Sequence, residues 1–229
     1  MNAATLFRPA EYAENQIIDS ILCGCYPVAS ALPAERELAA RLGVTRPTLR
    51  EALQRLARDG WLEIRQGKPT RVRDYWHEGS LGVLGALAQR TGTLPDDFVP
   101  NLLAVRLVLA PAYTRQAIEH QPDGVVTALG DYAGLADEAR VYAIYDWRLH
   151  HQLTILSRNP IFTLILNGFA DLYPQMAERY FRSAAARASS RAFYAGLLAA
   201  ALEADANTAE AITRRVMEVS IALWRTSIE

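Results

Sequence analysis

Residues 33–73 of the chain read PAERELAARLGVTRPTLREALQRLARDGWLEIRQGKPTRVR, and this stretch decides the fold. Its first part predicts two short helices joined at Gly43, a residue type that suits the left-handed end of a helix. Thr45 is a good N-cap for the second helix, and Pro47 falls in its first turn, where a missing N–H costs nothing. The pattern is typical of a helix-turn-helix, which places one helix in a DNA groove.

The end of the same stretch predicts a short β-hairpin. Residues 61–65 and 70–73 alternate between apolar and polar side chains, as half-buried strands do, and a turn lies between them. A two-stranded hairpin alone is only marginally stable. We therefore expect this hairpin to pack against the helices as a wing, with its turn exposed.

Charge is distributed unevenly along the chain, although the net charge is only -1. Residues 33–73 contain ten Lys or Arg and five Asp or Glu, whereas residues 78–229 contain 13 and 16. A basic module joined to a mildly acidic one indicates that only the first meets phosphate. A solvated charged face is the alternative that charge alone leaves open.

The predicted DNA contacts follow from the chemistry of the grooves. A helix fits the major groove, its N-terminal residues reach base edges, and Arg can bind guanine through two hydrogen bonds. Thr hydroxyls suit phosphate oxygens, and Gly in the wing turn permits close approach to the minor groove or the backbone. The residues predicted to contact double-stranded operator DNA are Arg36, Thr45, Arg46, Thr48, Arg50, Gln66, Gly67 and Lys68.

The remainder of the chain is predicted to be helical almost to its end. The expected helices span residues 81–90, 96–121, 124–135, 138–157, 160–173, 174–181, 189–203 and 207–228. The small-residue stretch 183–190 is expected to be a loop. The chain is therefore predicted to be mainly α, with a winged helix-turn-helix of three helices and a β-hairpin in residues 1–75. Residues 76–80 are predicted to be a linker, and residues 81–229 an all-helical domain.

The N-terminal region and the composition predict where in the cell the protein is located. Residues 9–26 are predicted to be a helix, on which Cys23 and Cys25 do not face each other, so neither a disulfide nor a zinc site is expected. No signal peptide is evident, and no run approaches the roughly 18 apolar residues of a membrane span. With 51% hydrophobic and 21% charged residues, we expect a soluble cytoplasmic protein with no membrane partner.

Specific motifs carry a resemblance to a known family. Residues 32–72 resemble the DNA-binding domain of the GntR family of bacterial regulators. Within that family, residues 55–70 (RLARDGWLEIRQGKPT), 101–106 (NLLAVR) and 157–181 (SRNPIFTLILNGFADLYPQMAERYF) resemble the FadR group, which regulates fatty acid metabolism in response to acyl-CoA. The similarity runs from about residue 11 to residue 224.

This resemblance implies a function for both parts of the chain. The Arg and Thr residues predicted above match DNA contacts of FadR-like proteins, whereas Gln66 stands where a close relative has His. The helical part resembles an antiparallel bundle that binds long-chain acyl-CoA, and the chain resembles homodimeric repressors that can also activate. The ligand-binding residues that the resemblance implies are Arg106, Tyr173, Tyr180, Ser220 and Trp224. Arg214 is added on chemical grounds, because its positive charge suits the phosphates of CoA. Ordinary core packing is the alternative for the aromatic residues. The basic C-terminal tail expected near CoA is missing, so ligand preference is expected to differ.

Two further functions are weighed against this one. Many GntR relatives bind a metal through one Asp and three His, and Asp146 and His150 match two of these ligands. Tyr194 and Met217 occupy the other two positions, so we expect no metal and no cofactor. A GntR-type regulator that senses a small carboxylate through a metal remains the alternative. An enzyme using Asp146, His150 and His151 lacks a nucleophile, so we expect no enzyme.

Overall fold

The computed structural model describes residues 8–88, 90, 95 and 97–226. The chain divides into two compact units, Met1–Thr93 and Leu94–Glu229. Several predicted helix ends, such as those at residues 96 and 228, lie outside the described residues. The predicted domain limits stay a prediction, because compactness alone does not establish independent folding.

The first unit holds the helix-turn-helix and its hairpin. Its helices are α1 (Pro9–Leu22), α2 (Glu35–Leu42), α3 (Arg46–Asp59), α4 (Tyr75–Glu78) and α5 (Leu81–Ala88), and its strands are β1 (Leu62–Glu63) and β2 (Arg71–Val72). The apolar stripe of α3 packs against α1, α2 and β1. Leu49 and Leu56 on that stripe are fully buried, as is Trp61 beyond it. The predicted fold class, mainly α with a small hairpin, is confirmed.

Backbone conformation at the helix ends explains why α2 and α3 form two separate helices. Gly43 ends α2 with φ of 65°, a left-handed conformation that favours glycine. Thr45 begins α3, because its side-chain oxygen accepts the backbone N–H of Thr48 at 3.3 Å. Gly60 ends α3 with φ of 96°, and a Cβ there would lie 2.7 Å from the Cα of Gly79. These ends fix the exit direction of the chain towards the hairpin.

The hairpin pairs antiparallel, with Leu62 opposite Val72 and Glu63 opposite Arg71. Its strands are shorter than predicted, since the ladder covers two residues on each side. The connection between α1 and α2 also reaches β2, through a bridge between Ala31 and Arg71. The wing is therefore held by the α1–α2 connection as well as by its own turn.

Helix α1 ends earlier than the sequence predicted, and this changes the position of the two cysteines. It ends at Leu22 instead of continuing to residue 26, because Gly24 takes a left-handed φ of 79°. The turn brings the Sγ atoms of Cys23 and Cys25 to within 2.7 Å. The prediction that these side chains do not face each other was therefore wrong.

The second unit is a bundle of helices. They are α6 (Phe98–His120), α7 (Pro122–Leu129), α8 (Ala139–Leu156), α9 (Pro160–Asn167), α10 (Tyr173–Phe181), α11 (Ala184–Leu202) and α12 (Ala206–Thr226), with a 3-10 turn at Tyr132–Gly134. Helix α6 packs along α12, and α8 packs against α6, α9 and α10. The fully buried core includes Tyr142, Leu149, Tyr194 and Leu197. None of the described helices is both long enough and apolar enough to cross a membrane.

One loop prediction in this unit was wrong. Residues 183–190 were expected to be a loop, but α11 already begins at Ala184. The side chain of Ser183 accepts the backbone N–H of Ala186 at 3.4 Å and caps the helix. The alanines of this stretch are strong helix formers, so the capped segment joins the following helix.

Candidate nucleic-acid interface and ligand cavity

The N-terminal end of α3 presents the side chains that the sequence assigns to DNA. Arg46 and Arg50 are exposed, one turn apart on the same helix, and Thr48 is half-buried between them. The hydroxyls of Thr45 and Thr48 lie 2.8 Å apart, so they are held close to the helix end. Cations, hydroxyls and free helix N–H groups together suit phosphate and base edges.

Glu35 controls the direction of the two arginines. Its Oε2 accepts a hydrogen bond from Nε of Arg50 at 2.7 Å and lies 3.8 Å from an Nη of Arg46. All three side chains are at least one-third exposed, so solvent screens the attraction. The carboxylate therefore orients the guanidinium groups more than it stabilises the fold. The sequence pattern did not predict Glu35 as a neighbour of these arginines, because Glu35 lies on the preceding helix.

The other predicted DNA contacts also lie on the surface. Arg36 is exposed on α2, and Gln66, Gly67 and Lys68 are exposed at the tip of the wing. Gly67 has a left-handed φ of 72°, which the tight turn between the strands requires. The structure thus makes every predicted contact residue available to a ligand except the partly covered Thr48.

The second unit contains a cavity with a volume of about 110 Å³. Helices α6, α9, α10 and α12 supply most of its wall, which is largely aliphatic and aromatic. Five of the six predicted ligand residues lie on this wall, namely Arg106, Tyr173, Tyr180, Ser220 and Trp224. Arg214 does not: it pairs on the surface with Glu210 at 3.1 Å and lies beside Arg215 in a shallow polar depression.

A buried carboxylate organises the polar end of the cavity. Asp146 on α8 is only 3% exposed. Its Oδ2 accepts a hydrogen bond from Arg106 of α6 at 2.7 Å and another from the hydroxyl of Tyr173 of α10. Its Oδ1 accepts a hydrogen bond from the hydroxyl of Tyr194 of α11 at 2.9 Å. Four helices therefore meet at one side chain.

The charges in this cluster are balanced within it. Burial disfavours ionisation of Asp146, but the charge of Arg106 and the hydroxyl hydrogen bonds outweigh it and hold the pKa of Asp146 below its usual value. Burial likewise opposes the guanidinium of Arg106, yet its surroundings, Tyr173 and Asp146 first, raise its pKa. Arg106 and Asp146 are therefore both ionised, whereas a buried charge without a partner would not stay ionised.

His150 completes this cluster as a neutral side chain. Burial and then the charge of Arg106 lower its pKa to about 3. Its Nδ1 lies 2.7 Å from the hydroxyl of Tyr113, while Nε2 is 3.7 Å from Asp146 and has no hydrogen-bond partner among the described residues. Within the same described residues, the buried hydroxyl of Tyr180 also has none. Both residues line the cavity, so these two polar atoms of its wall are available to hydrogen-bond to a ligand.

The position that would receive a metal ion is taken up by this hydrogen-bond network. Tyr194 donates to Asp146, Met217 is buried, and Arg106 provides the positive charge. Within residues 8–88, 90, 95 and 97–226, no three His, Cys, Asp or Glu side chains are grouped as metal ligands would be. A cation beside Asp146 would have to displace the guanidinium, so the residues present do not fit a metal.

Comparison with known families covers the chain almost completely. Residues 9–72 match the model described as bacterial regulatory proteins of the gntR family, and residues 73–228 match the model of the FadR C-terminal domain. A protein of Shewanella halifaxensis, named fatty acid metabolism regulator protein, is 44% identical over 95% of this chain and 91% of its own length. A protein of the same name from Shewanella amazonensis is 46% identical over 81% of this chain and 78% of its own.

Solved structures agree in fold at lower identity. One, described as Lar, which controls expression of the Listeria monocytogenes agr system, has a TM-score of 0.65 at 16% identity and covers 98% of this chain and 99% of its own. At that identity the likeness concerns the fold alone. The helices and the hairpin of this chain are therefore arranged in a known fold.

Proposed function

The chain belongs to the GntR family of bacterial regulators and has a FadR-type C-terminal domain, and we propose that it is an acyl-CoA-controlled transcriptional regulator of fatty acid metabolism. As a member of a family of DNA-binding regulators, it is not an enzyme. In the proposal, a homodimer in the cytoplasm binds a palindromic operator, and a long-chain acyl-CoA in the second unit releases it. Repression and activation are both compatible with this mechanism.

The proposed DNA contacts are those on α2, α3 and the wing. Arg46 and Arg50, oriented by Glu35, are assigned to base edges in the major groove. Thr45 and Thr48 are assigned to phosphate oxygens, which fix the register of the helix on the duplex without reading sequence. The residues at the wing tip would contact the adjacent groove or backbone.

The observation that carries the effector proposal is the link between the cavity wall and Asp146. Arg106 and Tyr173 both line the cavity, and both hydrogen-bond to the same oxygen of this carboxylate. A ligand that displaces either side chain therefore removes a contact that joins α8 to α6 or to α10, at the carboxylate that also joins α8 to α11. A local change in the cavity is converted in this way into a rearrangement of helices.

The cavity is small for the proposed ligand. Its volume of about 110 Å³ is below the roughly 300–1,000 Å³ of sites for drug-sized ligands. A long acyl chain therefore requires the helices to separate. Each buried methylene contributes about 0.8 kcal/mol, so a long chain can offset the cost of opening where a short chain cannot. The hydroxyl of Tyr180, which has no hydrogen-bond partner in the part of the chain that the structure describes, is suited to donate to the oxygen of the thioester carbonyl.

A gel-shift titration of the operator tests this proposal. Oleoyl-CoA is expected to release DNA at concentrations at which free CoA and acetyl-CoA have no effect. A near-complete switch requires the ligand to prefer the DNA-incompetent state by about 5.5 kcal/mol. DNA binding that is unchanged at saturating oleoyl-CoA would refute the effector while leaving the DNA-binding role intact.

The metal-dependent alternative is less well supported, because Asp146 is already paired with Arg106. It predicts that divalent metal added to purified protein raises its thermal stability, and that a small carboxylate then binds. We expect neither effect. Calorimetry with added zinc or nickel separates the two proposals without requiring DNA.

A further inference from the structure

The end of α1 carries the sequence Cys23-Gly24-Cys25 in a turn that brings its sulfur atoms together. The backbone N–H of Cys23 still bonds to the oxygen of Asp19 at 2.9 Å, so Cys23 sits on the last helical turn. Gly24 then takes its left-handed φ, and the N–H of Tyr26 returns to the oxygen of Ser20 at 3.0 Å. The chain folds back on the helix end, and the two Sγ atoms lie 2.7 Å apart.

Both side chains are exposed, which makes the pair accessible to a small reagent. The two sulfur atoms share a hydrogen bond in which either can be the donor, and this interaction lowers the pKa of Cys23 and raises the pKa of Cys25. Because the thiolate is the nucleophile in thiol chemistry, Cys23 is suited to attack first. Cys25 then lies in position to resolve the product.

We propose that Cys23 and Cys25 form a redox-active dithiol, which a low-molecular-weight disulfide such as oxidised glutathione converts reversibly into an intramolecular disulfide. The thiolate of Cys23 attacks one sulfur of the reagent, forms a mixed disulfide and releases one glutathione thiolate. The thiolate of Cys25 then attacks the sulfur of Cys23, closes the intramolecular bond and releases the second. Each released thiolate takes up one of the protons that the two cysteines lost. Two protein thiols are oxidised and one reagent disulfide is reduced to two thiols.

The surroundings favour closure within one chain over the competing products. The chain contains two cysteines, so no third thiol is available to either of them in the same molecule. Gly24 already holds the conformation in which the sulfurs meet, so little ordering is needed to form the ring. Exposed disulfides are readily reduced and therefore follow the redox poise of their surroundings.

The position of the pair connects it to the wing. After Cys25, the chain runs through a segment in which the N–H of Ala29 bonds to the oxygen of Val72 at 2.9 Å. The N–H of Leu32 bonds in turn to the oxygen of Thr70 at 2.8 Å. The dithiol is therefore placed at the start of the segment that holds β2. The dithiol belongs to α1 and its turn, and its oxidation does not depend on the effector.

A redox titration of the full-length protein tests the proposal. The protein is equilibrated in buffers with a series of ratios of reduced to oxidised glutathione, quenched in acid and alkylated, and its intact mass is measured. We expect one transition from a doubly alkylated species to a species that carries no label and has lost two hydrogens. Its midpoint should not depend on protein concentration, and excess reduced glutathione should reverse it.

Serine variants separate the roles of the two residues. C25S should stop at a mixed disulfide between Cys23 and glutathione, whereas C23S should react more slowly with an alkylating agent at neutral pH. Wild-type protein that keeps both thiols in the most oxidising buffer would overturn the proposal. Accumulation of mixed disulfides, or of disulfide-linked dimers alone, would overturn it as well. The wild-type titration decides the matter even if a variant fails to fold.

Discussion

Replacing Asp146 by Asn tests whether one carboxylate holds the second unit together. The change keeps the shape of the side chain but removes the charge that compensates Arg106, to which Asp146 is joined at 2.7 Å with 3% of its own side chain exposed. Breaking a buried ion pair from one side typically costs about 3–5 kcal/mol, because the remaining charge is left uncompensated. For a chain of this length each kcal/mol lowers Tm by about 2–4 °C, so we expect a fall of roughly 6–20 °C.

Differential scanning calorimetry measures this effect, and the chain offers a matched control. Asp131 pairs with Arg148 at 3.2 Å, but its side chain is 76% exposed. The corresponding Asp131→Asn change should cost no more than about 1 kcal/mol. A double variant, Asp146→Asn with Arg106→Met, should recover much of the lost stability, because it also removes the guanidinium that the single change leaves uncompensated, while Asn keeps an oxygen for the hydroxyls of Tyr173 and Tyr194. If Asp146→Asn unfolds at the wild-type temperature, or if the double variant is no more stable than it, the reasoning is wrong.

Three further predictions concern the DNA surface and the cluster around His150. Arg46→Ala should weaken operator binding by about 1–3 kcal/mol and relax its sequence preference, whereas Arg58→Ala on the far end of α3 should do neither. Competition between DNA sequences, followed by fluorescence anisotropy, measures this preference. If Arg46→Ala leaves the preference unaltered, Arg46 does not contact bases. Glu35→Gln should tighten binding to random DNA yet reduce discrimination, because it removes a negative charge and frees both arginines; equal discrimination would show that Glu35 does not orient them. Burial lowers the pKa of His150 from 6.5 to about 3, so the unfolded chain binds a proton that the folded chain does not. The free energy of unfolding should therefore fall as pH drops below about 6.5, by up to about 1.4 kcal/mol per pH unit. In urea titrations at a series of pH values, His150→Gln should reduce this dependence on pH. An unchanged dependence would contradict the assignment of His150 as the neutral buried group.

Local features of the sequence were sufficient to predict the first unit. Gly43, Thr45 and Gly60 act on the backbone within a few residues, so the ends of α2 and α3 could be predicted without tertiary information. The alternating pattern after Trp61 likewise predicted the hairpin, although its strands are shorter than expected. The premature end of α1 has an equally local cause, since the left-handed Gly24 turns the chain, but a glycine near a helix end does not by itself predict where the helix stops.

The candidate site could be predicted only in part, for a physical reason. The wall residues Arg106 and Tyr173 were predicted through the resemblance, but Asp146, which was considered as a metal ligand, as an acid–base group and as a polar partner of His150, was not predicted to be their common partner. Arg106 and Asp146 are 40 residues apart in the sequence. A periodic pattern of apolar residues predicts single helices and strands, and it does not predict contacts between such distant positions. The predicted ligand role of Arg214 stays untested, although the side chain lies on the surface with Glu210.

The guanidinium beside Asp146 has a consequence for how the protein can be used by a cell. A bound cation exchanges with its surroundings, so a site that depends on one follows the local supply of that ion. Arg106 is joined to the chain by covalent bonds and cannot dissociate, be exchanged or be removed by a chelator. The cluster is complete as soon as the polypeptide folds. Under the proposed function, the contacts that a ligand in the cavity would disturb therefore do not depend on the supply of a metal ion.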